Sequence, residues 1–107
     1  MKTAIELITE ERDRQIEKEG WSEWHDDSHK RDQLAIAAAT YALPDRLRGD
    51  RLKNGKPKMW PWANEWWKPG EYVRLKIKKP LTADRVRELV KAGALIAAEI
   101  DRLQRKD

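Results

Sequence analysis

The sequence predicts an all-α fold, a small three- to four-helix bundle that assembles into an oligomer, with a long Trp-rich, basic connection between helices 2 and 3. Three observations point there. Apolar residues recur at spacings of three and four over residues 3–18, 29–43 and 82–105. Cap and stop residues bound those stretches. The one alternating segment, residues 71–79, has no second strand to pair with. A chain of 107 residues suits a single domain, 1–107, with 44–81 as the connection.

Each element has its own signals. In the first helix Ala4, Ile5, Ile8, Arg12, Gln15 and Ile16 are expected on one face. Glu10 and Arg14 form a favourable i,i+4 pair, and Gly20 ends the helix as its C′ residue. Arg12 and Gln15 interrupt the apolar face, so they lie at its edge or point inward to bind something. Asp27 or Ser28 is expected to cap the second helix. That helix carries a small-residue face of Leu34, Ala35, Ala37, Ala38, Tyr41 and Ala42, joined by Ile36, and Pro44 stops it. Residues 45–58 read as a mobile basic loop with a turn at Asn54-Gly55. Pro61 and Pro69 bracket at most one helical turn, and residues 71–79 read as an extended basic segment. For the last helix Thr82 is the expected N-cap, with Leu81 stapled onto Val86. Val86, Leu89, Val90, Gly93, Ile96, Ala97, Ile100 and Leu103 form a stripe wide enough for two neighbours. Gly93 in mid-helix costs about 1 kcal/mol against alanine, which implies close packing there.

Composition narrows the function classes. Hydrophobic and charged residues each make up 39% of the chain, against a usual charged share of about 25%. A thin core follows, or a core completed across an interface between copies. The absence of cysteine excludes disulfides and thiolate zinc sites. No apolar run approaches the roughly 18 residues of a membrane span, and no signal-peptide core is visible, so no membrane partner and a cytoplasmic location are expected. The net charge of +4 is uneven. Residues 1–44 hold six basic and ten acidic side chains, and residues 45–80 hold eleven and four. The basic middle either neutralises acidic neighbours or attracts a phosphate-bearing ligand. Nucleic acid is the less favoured partner, because the first helix is acidic and no recognition-helix pattern is present.

Two stretches stand out. Gly20 to His29 holds Trp21, Trp24, His25, Asp26, Asp27 and His29, which include both histidines of the chain. Trp60 to Pro69 supplies the other four of six tryptophans, in a chain without phenylalanine. Indoles offer faces for stacking on bases and an N–H that wants a partner. Any one of them can equally fill the core or an interface. Adjacent Trp66 and Trp67 cannot face the same way, so one of them belongs at a surface or pocket. The two stretches are expected to meet and line one pocket. Its expected ligand contacts are Arg12, Gln15, Trp21, Trp24, His25, Asp26, His29, Trp62, Trp67, Lys68 and Lys91, with Arg14 as a further anion binder. His25 and His29 have the i,i+4 spacing of a metal pair, but Asp, Ser and His before a helix are also ordinary cap and turn residues. No metal is expected, and no nucleophile or catalytic residue is identified.

Several runs resemble a widespread, largely uncharacterised group of short phage and prophage proteins. They are Glu11-Arg12-Asp13-Arg14-Gln15, Glu19-Gly20-Trp21, His25-Asp26-Asp27-Ser28-His29, Ala37 to Ala42, Trp60-Pro61-Trp62, Trp66-Trp67-Lys68-Pro69, and Leu89 to Leu103. The resemblance covers nearly the whole chain and implies a phage origin, hence the host cytoplasm. It departs at Arg31 and Asp32, where the group has a glycine, and loop 45–58 looks like an insertion. The all-helical shape is also similar to MazG-like nucleotide pyrophosphohydrolases, which hold magnesium with Glu-x-x-Glu and Glu-x-x-Asp pairs. Here Glu6/Glu10 and Glu99/Asp101 have other spacings. The expected function is binding of a nucleotide-like, phosphate-bearing ligand without a cofactor, as in sequestering a host defence signal. The alternatives are magnesium-dependent pyrophosphohydrolysis and protein-binding inhibition of a host factor.

Overall fold

The computed structural model describes residues 1–20 and 32–106. It is mostly helical and, among the described residues, contains no strand. Its helices are α1 (Ala4–Glu19), α2 (Gln33–Ala42), the single turn α3 (Glu71–Arg74) and α4 (Thr82–Lys106), with 3-10 turns at Asp45–Leu47 and Asn64–Trp66. No described helix is long and apolar enough to cross a membrane.

α1 opens with a capping box. The Glu6 N–H donates to the Thr3 hydroxyl at 3.2 Å, and the Thr3 N–H donates back to the Glu6 carboxylate at 3.2 Å. It closes on Gly20, whose φ of 70° lies in the left-handed region that glycine enters at least cost. The buried face is only partly the one expected. Gln15 is buried and Ile8 and Arg12 are half-buried, but Glu11 is buried too, while Ile5 and Ile16 keep 73% and 42% of their surface. The packing explains the shift. Ile8 sits over Gly93, and Glu11 pairs with Arg87 at 2.6 Å, so α1 runs antiparallel to α4. A carboxylate that finds two arginines can occupy a buried position that pattern reading reserves for isoleucine.

α2 begins at Gln33, with Asp32 as N-cap in the left-handed region at φ 64°. Capping by Asp27 or Ser28 falls outside the described residues. Leu34, Ala37, Ala38 and Tyr41 pack against Ala92, Leu95 and Ala98 of α4. Small side chains on both surfaces let these two helices lie close. Ala35 and Ile36, expected on that face, are exposed. α4 includes Thr82 as its first residue, and Leu81 is 71% exposed, so it does not cover Val86 as a staple would.

The basic loop 45–58 carries backbone bonds from Leu52 N–H to Lys56 O at 2.8 Å, Gly55 N–H to Leu52 O at 2.9 Å and Lys58 N–H to Asp50 O at 2.9 Å. The Asn54-Gly55 turn is present, with Gly55 at φ 89°. Residues 71–79 are not extended. Glu71–Arg74 forms a helical turn, Lys76 adopts φ 57°, and the Ile77 N–H returns to Tyr72 O at 3.0 Å. The apolar alternation misled because Tyr72 is drawn inward by a polar bond.

That bond belongs to a buried ionic cluster. Arg48 is 0% exposed and Glu88 is 1% exposed. Arg48 Nη2 lies 3.2 Å from Glu88 Oε1, which also accepts from the Tyr72 hydroxyl at 2.6 Å and Arg85 Nη1 at 3.1 Å. Glu88 Oε2 accepts from the Gly70 N–H at 2.9 Å. The same arginines close the end of α2. Arg48 donates to Thr40 O at 2.7 Å and Tyr41 O at 3.1 Å, and Arg85 donates to Tyr41 O at 2.8 Å and to Ala42 O. Carbonyls orphaned at a helix C-terminus thus meet positive charge, as the helix dipole favours. Burial alone would raise the Glu88 pKa, but the Tyr72 and Gly70 bonds and the two arginines outweigh it and hold it below 4.5.

Two outcomes follow for stability. A carboxyl whose folded pKa is depressed contributes stability above its unfolded value and loses it as pH falls through the folded one. Urea denaturation should show Glu88→Gln costing about 3 kcal/mol at pH 7, with the gap to the parent protein shrinking below about pH 4. At Gly93 an added Cβ would meet Ile8 Cδ1 at 2.6 Å and Cγ1 at 2.9 Å. Gly93→Ala should therefore lower stability by about 1 kcal/mol despite its better helix propensity, because overpacking outweighs it. Adding Ile8→Ala should recover part of that loss.

Candidate functional site

The aromatic residues of the connection build a slab beside α2. Trp60 stands edge-on to Tyr41 (5.3 Å, 80°) and to Trp62 (5.3 Å, 85°). Trp67 lies against Tyr41 at 4.9 Å and Trp60 at 5.0 Å, with the Arg48 guanidinium 5.0 Å from its ring centre. Trp67 is buried and Trp62 partly buried. Trp66 points the other way and is 41% exposed, with Lys68 Nζ 5.7 Å from its ring centre. The divergence expected of the adjacent pair is present.

Where this slab meets α1 and α4 there is a recess of about 30 Å³. Arg14, Gln15, Lys68, Lys91, Trp66 and Tyr41 line it, and Glu19 at the end of α1 forms part of its rim. Glu11 anchors one wall. Arg14 donates to both of its carboxylate oxygens at 2.8 Å, and Arg87 Nη2 approaches at 2.6 Å. Burial alone would raise the Glu11 pKa, yet these partners hold it lowered, so Glu11 stays an anion. Gln15 donates Nε2 to Glu11 Oε2 at 3.1 Å. Because that partner can only accept, the orientation of the Gln15 amide is settled. Its carbonyl Oε1 is then a buried acceptor with no hydrogen-bond partner among the described residues.

The opposite wall is cationic. Lys91 Nζ donates to Lys68 O at 2.8 Å and lies 5.4 Å from the Tyr41 ring centre. Burial lowers the Lys91 pKa, and Arg87, Arg14 and Lys68 push it the same way against Glu11. The Tyr41 hydroxyl accepts from the Lys68 N–H at 3.1 Å, and burial raises its pKa to about 12, so it stays protonated. Among the described residues neither lysine has a carboxylate partner. Among the described residues, Arg14, Arg87, Lys68 and Lys91 face Glu11 and Glu19 here, an excess of two positive charges.

Of the contacts expected from sequence, Gln15, Lys68 and Lys91 meet in this recess with Arg14, while Arg12 does not line it. Trp62 and Trp67 belong to the neighbouring slab. Trp21, Trp24, His25, Asp26 and His29 lie outside the described residues, so their convergence with the recess has no structural description. Two larger open grooves of about 640 and 700 Å³ flank α3 and share Asp45, Val73 and Lys76. Arg51 and Arg74 of the first are already bonded to Asp45 and Glu71, and Arg85 of the second to Glu88. Glu11, Arg48 and Glu88 escaped sequence reading. A signal existed: Glu88 falls in register with Ala92 and Leu95, and Glu11 with Ile8 and Gln15, so each sits at a core position of its helix. Among the described residues no three acidic or histidine side chains converge as metal ligands. The buried carboxylates Glu11, Glu88 and Glu99 are instead bonded to arginines.

The recess polarity is directly checkable. Gln15→Leu removes the unbonded carbonyl oxygen together with the Nε2 bond to Glu11 Oε2, so thermal unfolding of the ligand-free variant should show a loss of about 2 kcal/mol, that of the amide bond alone, rather than about 3 kcal/mol or more if the oxygen were bonded as well. Comparison with family models, curated proteins and solved structures finds no match to this chain.

Proposed function

We propose that the protein binds a nucleotide-like, phosphate-bearing small molecule at the recess between α1, α4 and the tryptophan slab. The observation that carries this reading is the buried Gln15 Oε1, unbonded among the described residues, beside two lysines with no carboxylate partner among them. An unpaired buried acceptor calls for a donor, and an excess of positive charge calls for an anion. A nucleotide offers both: phosphate oxygens for Lys68, Lys91 and Arg14, and a base amino or ribose hydroxyl for Gln15. The recess of about 30 Å³ admits one group, so the bulk of the ligand rests on its rim, which includes the partly exposed Trp66. The resemblance to short phage proteins supports sequestration of a nucleotide signal of host defence over its turnover.

Equilibrium dialysis against nucleoside triphosphates and cyclic dinucleotides tests this. Stoichiometric binding of intact ligand is expected, weakened 10- to 100-fold by Lys91→Met or Gln15→Leu, the loss of one charge-assisted or buried hydrogen bond. Pyrophosphate release with magnesium would replace sequestration by hydrolysis. No affinity at millimolar ligand, or affinity indifferent to both substitutions, would remove the site.

A further inference from the structure

Five aliphatic side chains of α4, namely Val86, Leu89, Ile96, Ile100 and Leu103, each keep 42–50% of their surface exposed. With Gly93 they recur at steps of three, four, three, four and three residues. That is the strict 3.5-residue repeat of a helix seam made for another helix. The face of α4 turned to its own core is a different one, built on Glu88, Ala92, Leu95, Ala98 and Glu99. α1 touches the seam only at its Val86 and Gly93 end and leaves Leu89, Ile96, Ile100 and Leu103 about half exposed. It leans on one flank, with Ile8 at Gly93 on the seam side and Glu11 at Arg87 on the far side. Ile5 and Ile16, spaced from Ile8 by three and eight residues, therefore lie along the same surface as the seam, and they too are exposed.

We propose that this two-helix apolar face is the interface with a second copy of the chain, paired about a twofold axis so that α1 and α4 of both protomers form a four-helix bundle. Area argues for an occupant. These aliphatic residues together expose on the order of 500 Å² of apolar surface, near the upper limit for the largest patch of a monomer. A standard interface buries roughly 800 Å² per partner, of which these aliphatic residues would supply more than half. Self-complementarity names the occupant. A heptad seam is matched by its own copy, since around a twofold axis each residue meets the partner position that meets it in return. The face is separate from the recess at Gln15 and Lys91, so this inference stands or falls independently of ligand binding.

Sedimentation of the full chain across 1–100 μM tests it, alongside a variant carrying Ile96→Glu and Ile100→Glu. Both positions are half-exposed in the single chain, so the variant should keep its helical circular dichroism. The expected result is a parent assembly of two, or a multiple of two, whose melting temperature rises with concentration. The variant should sediment as a monomer with a concentration-independent melting temperature. Leu103→Lys, one turn from the helix end, should shift the equilibrium in the same direction and serves if the double variant fails to fold. A parent that stays monomeric throughout, or an assembly that survives these substitutions, would overturn the proposal.

Discussion

One buried carboxylate, Glu88, holds together parts of the chain that have no other reason to meet. It gathers Arg48 and Tyr72 from the connection, Arg85 from its own helix, and the Gly70 N–H. Removing a charged carboxylate and guanidinium from water costs several kcal/mol per ion. Only a site that saturates both can keep them inside. Here Glu88 receives four donors, and Arg48 gives its remaining protons to Thr40 O, Tyr41 O and Asp45. Asp45 in turn holds Arg51, so the charges alternate outward to the surface. Lysine in place of Arg48 could not serve, because a point charge lacks the planar fork that reaches two carbonyls and a carboxylate at once.

The functional consequence lies in what this cluster positions. Trp67 rests under the Arg48 guanidinium, and its stacking on Tyr41 and Trp60 sets the slab against α2. The next residue, Lys68, follows from that placement. Its N–H is fixed by the Tyr41 hydroxyl and its carbonyl by Lys91. The cationic wall of the recess is thus a by-product of how the connection is anchored some residues away. The acidic wall has its own, smaller lock, the bidentate Arg14–Glu11 pair braced by Arg87. Two rigid walls from distant parts of the chain leave Gln15 between them with an oxygen unused.

Much of this was legible in the sequence, and the failures share a cause. The three long helices, the Gly20 stop, the Asn54-Gly55 turn and the close packing at Gly93 follow from periodicity and from residues with few backbone choices. Gln15, Lys68 and Lys91 were singled out for residue chemistry and do share a recess. The errors arose where a charged side chain occupies a position that hydrophobic patterning assigns elsewhere. Glu11 took the place of Ile5 and Ile16 on α1, and Tyr72 bonding to Glu88 turned an alternating segment into a helical turn. Burial of charge depends on partners distant in sequence: Arg48 and Glu88 are forty residues apart. No local window can register that dependence.

A double-mutant cycle on that pair is the most direct test of the whole account. Stability would be measured by urea denaturation at pH 7 for Arg48→Met, Glu88→Leu and the two combined. Each single change strands a buried charge and should cost about 3–5 kcal/mol. The combined change strands neither partner of the pair, so its cost should fall short of the sum by at least 2 kcal/mol. Costs that simply add, to within about 0.5 kcal/mol, would show that Arg48 and Glu88 act independently and that the connection is held in place by something else.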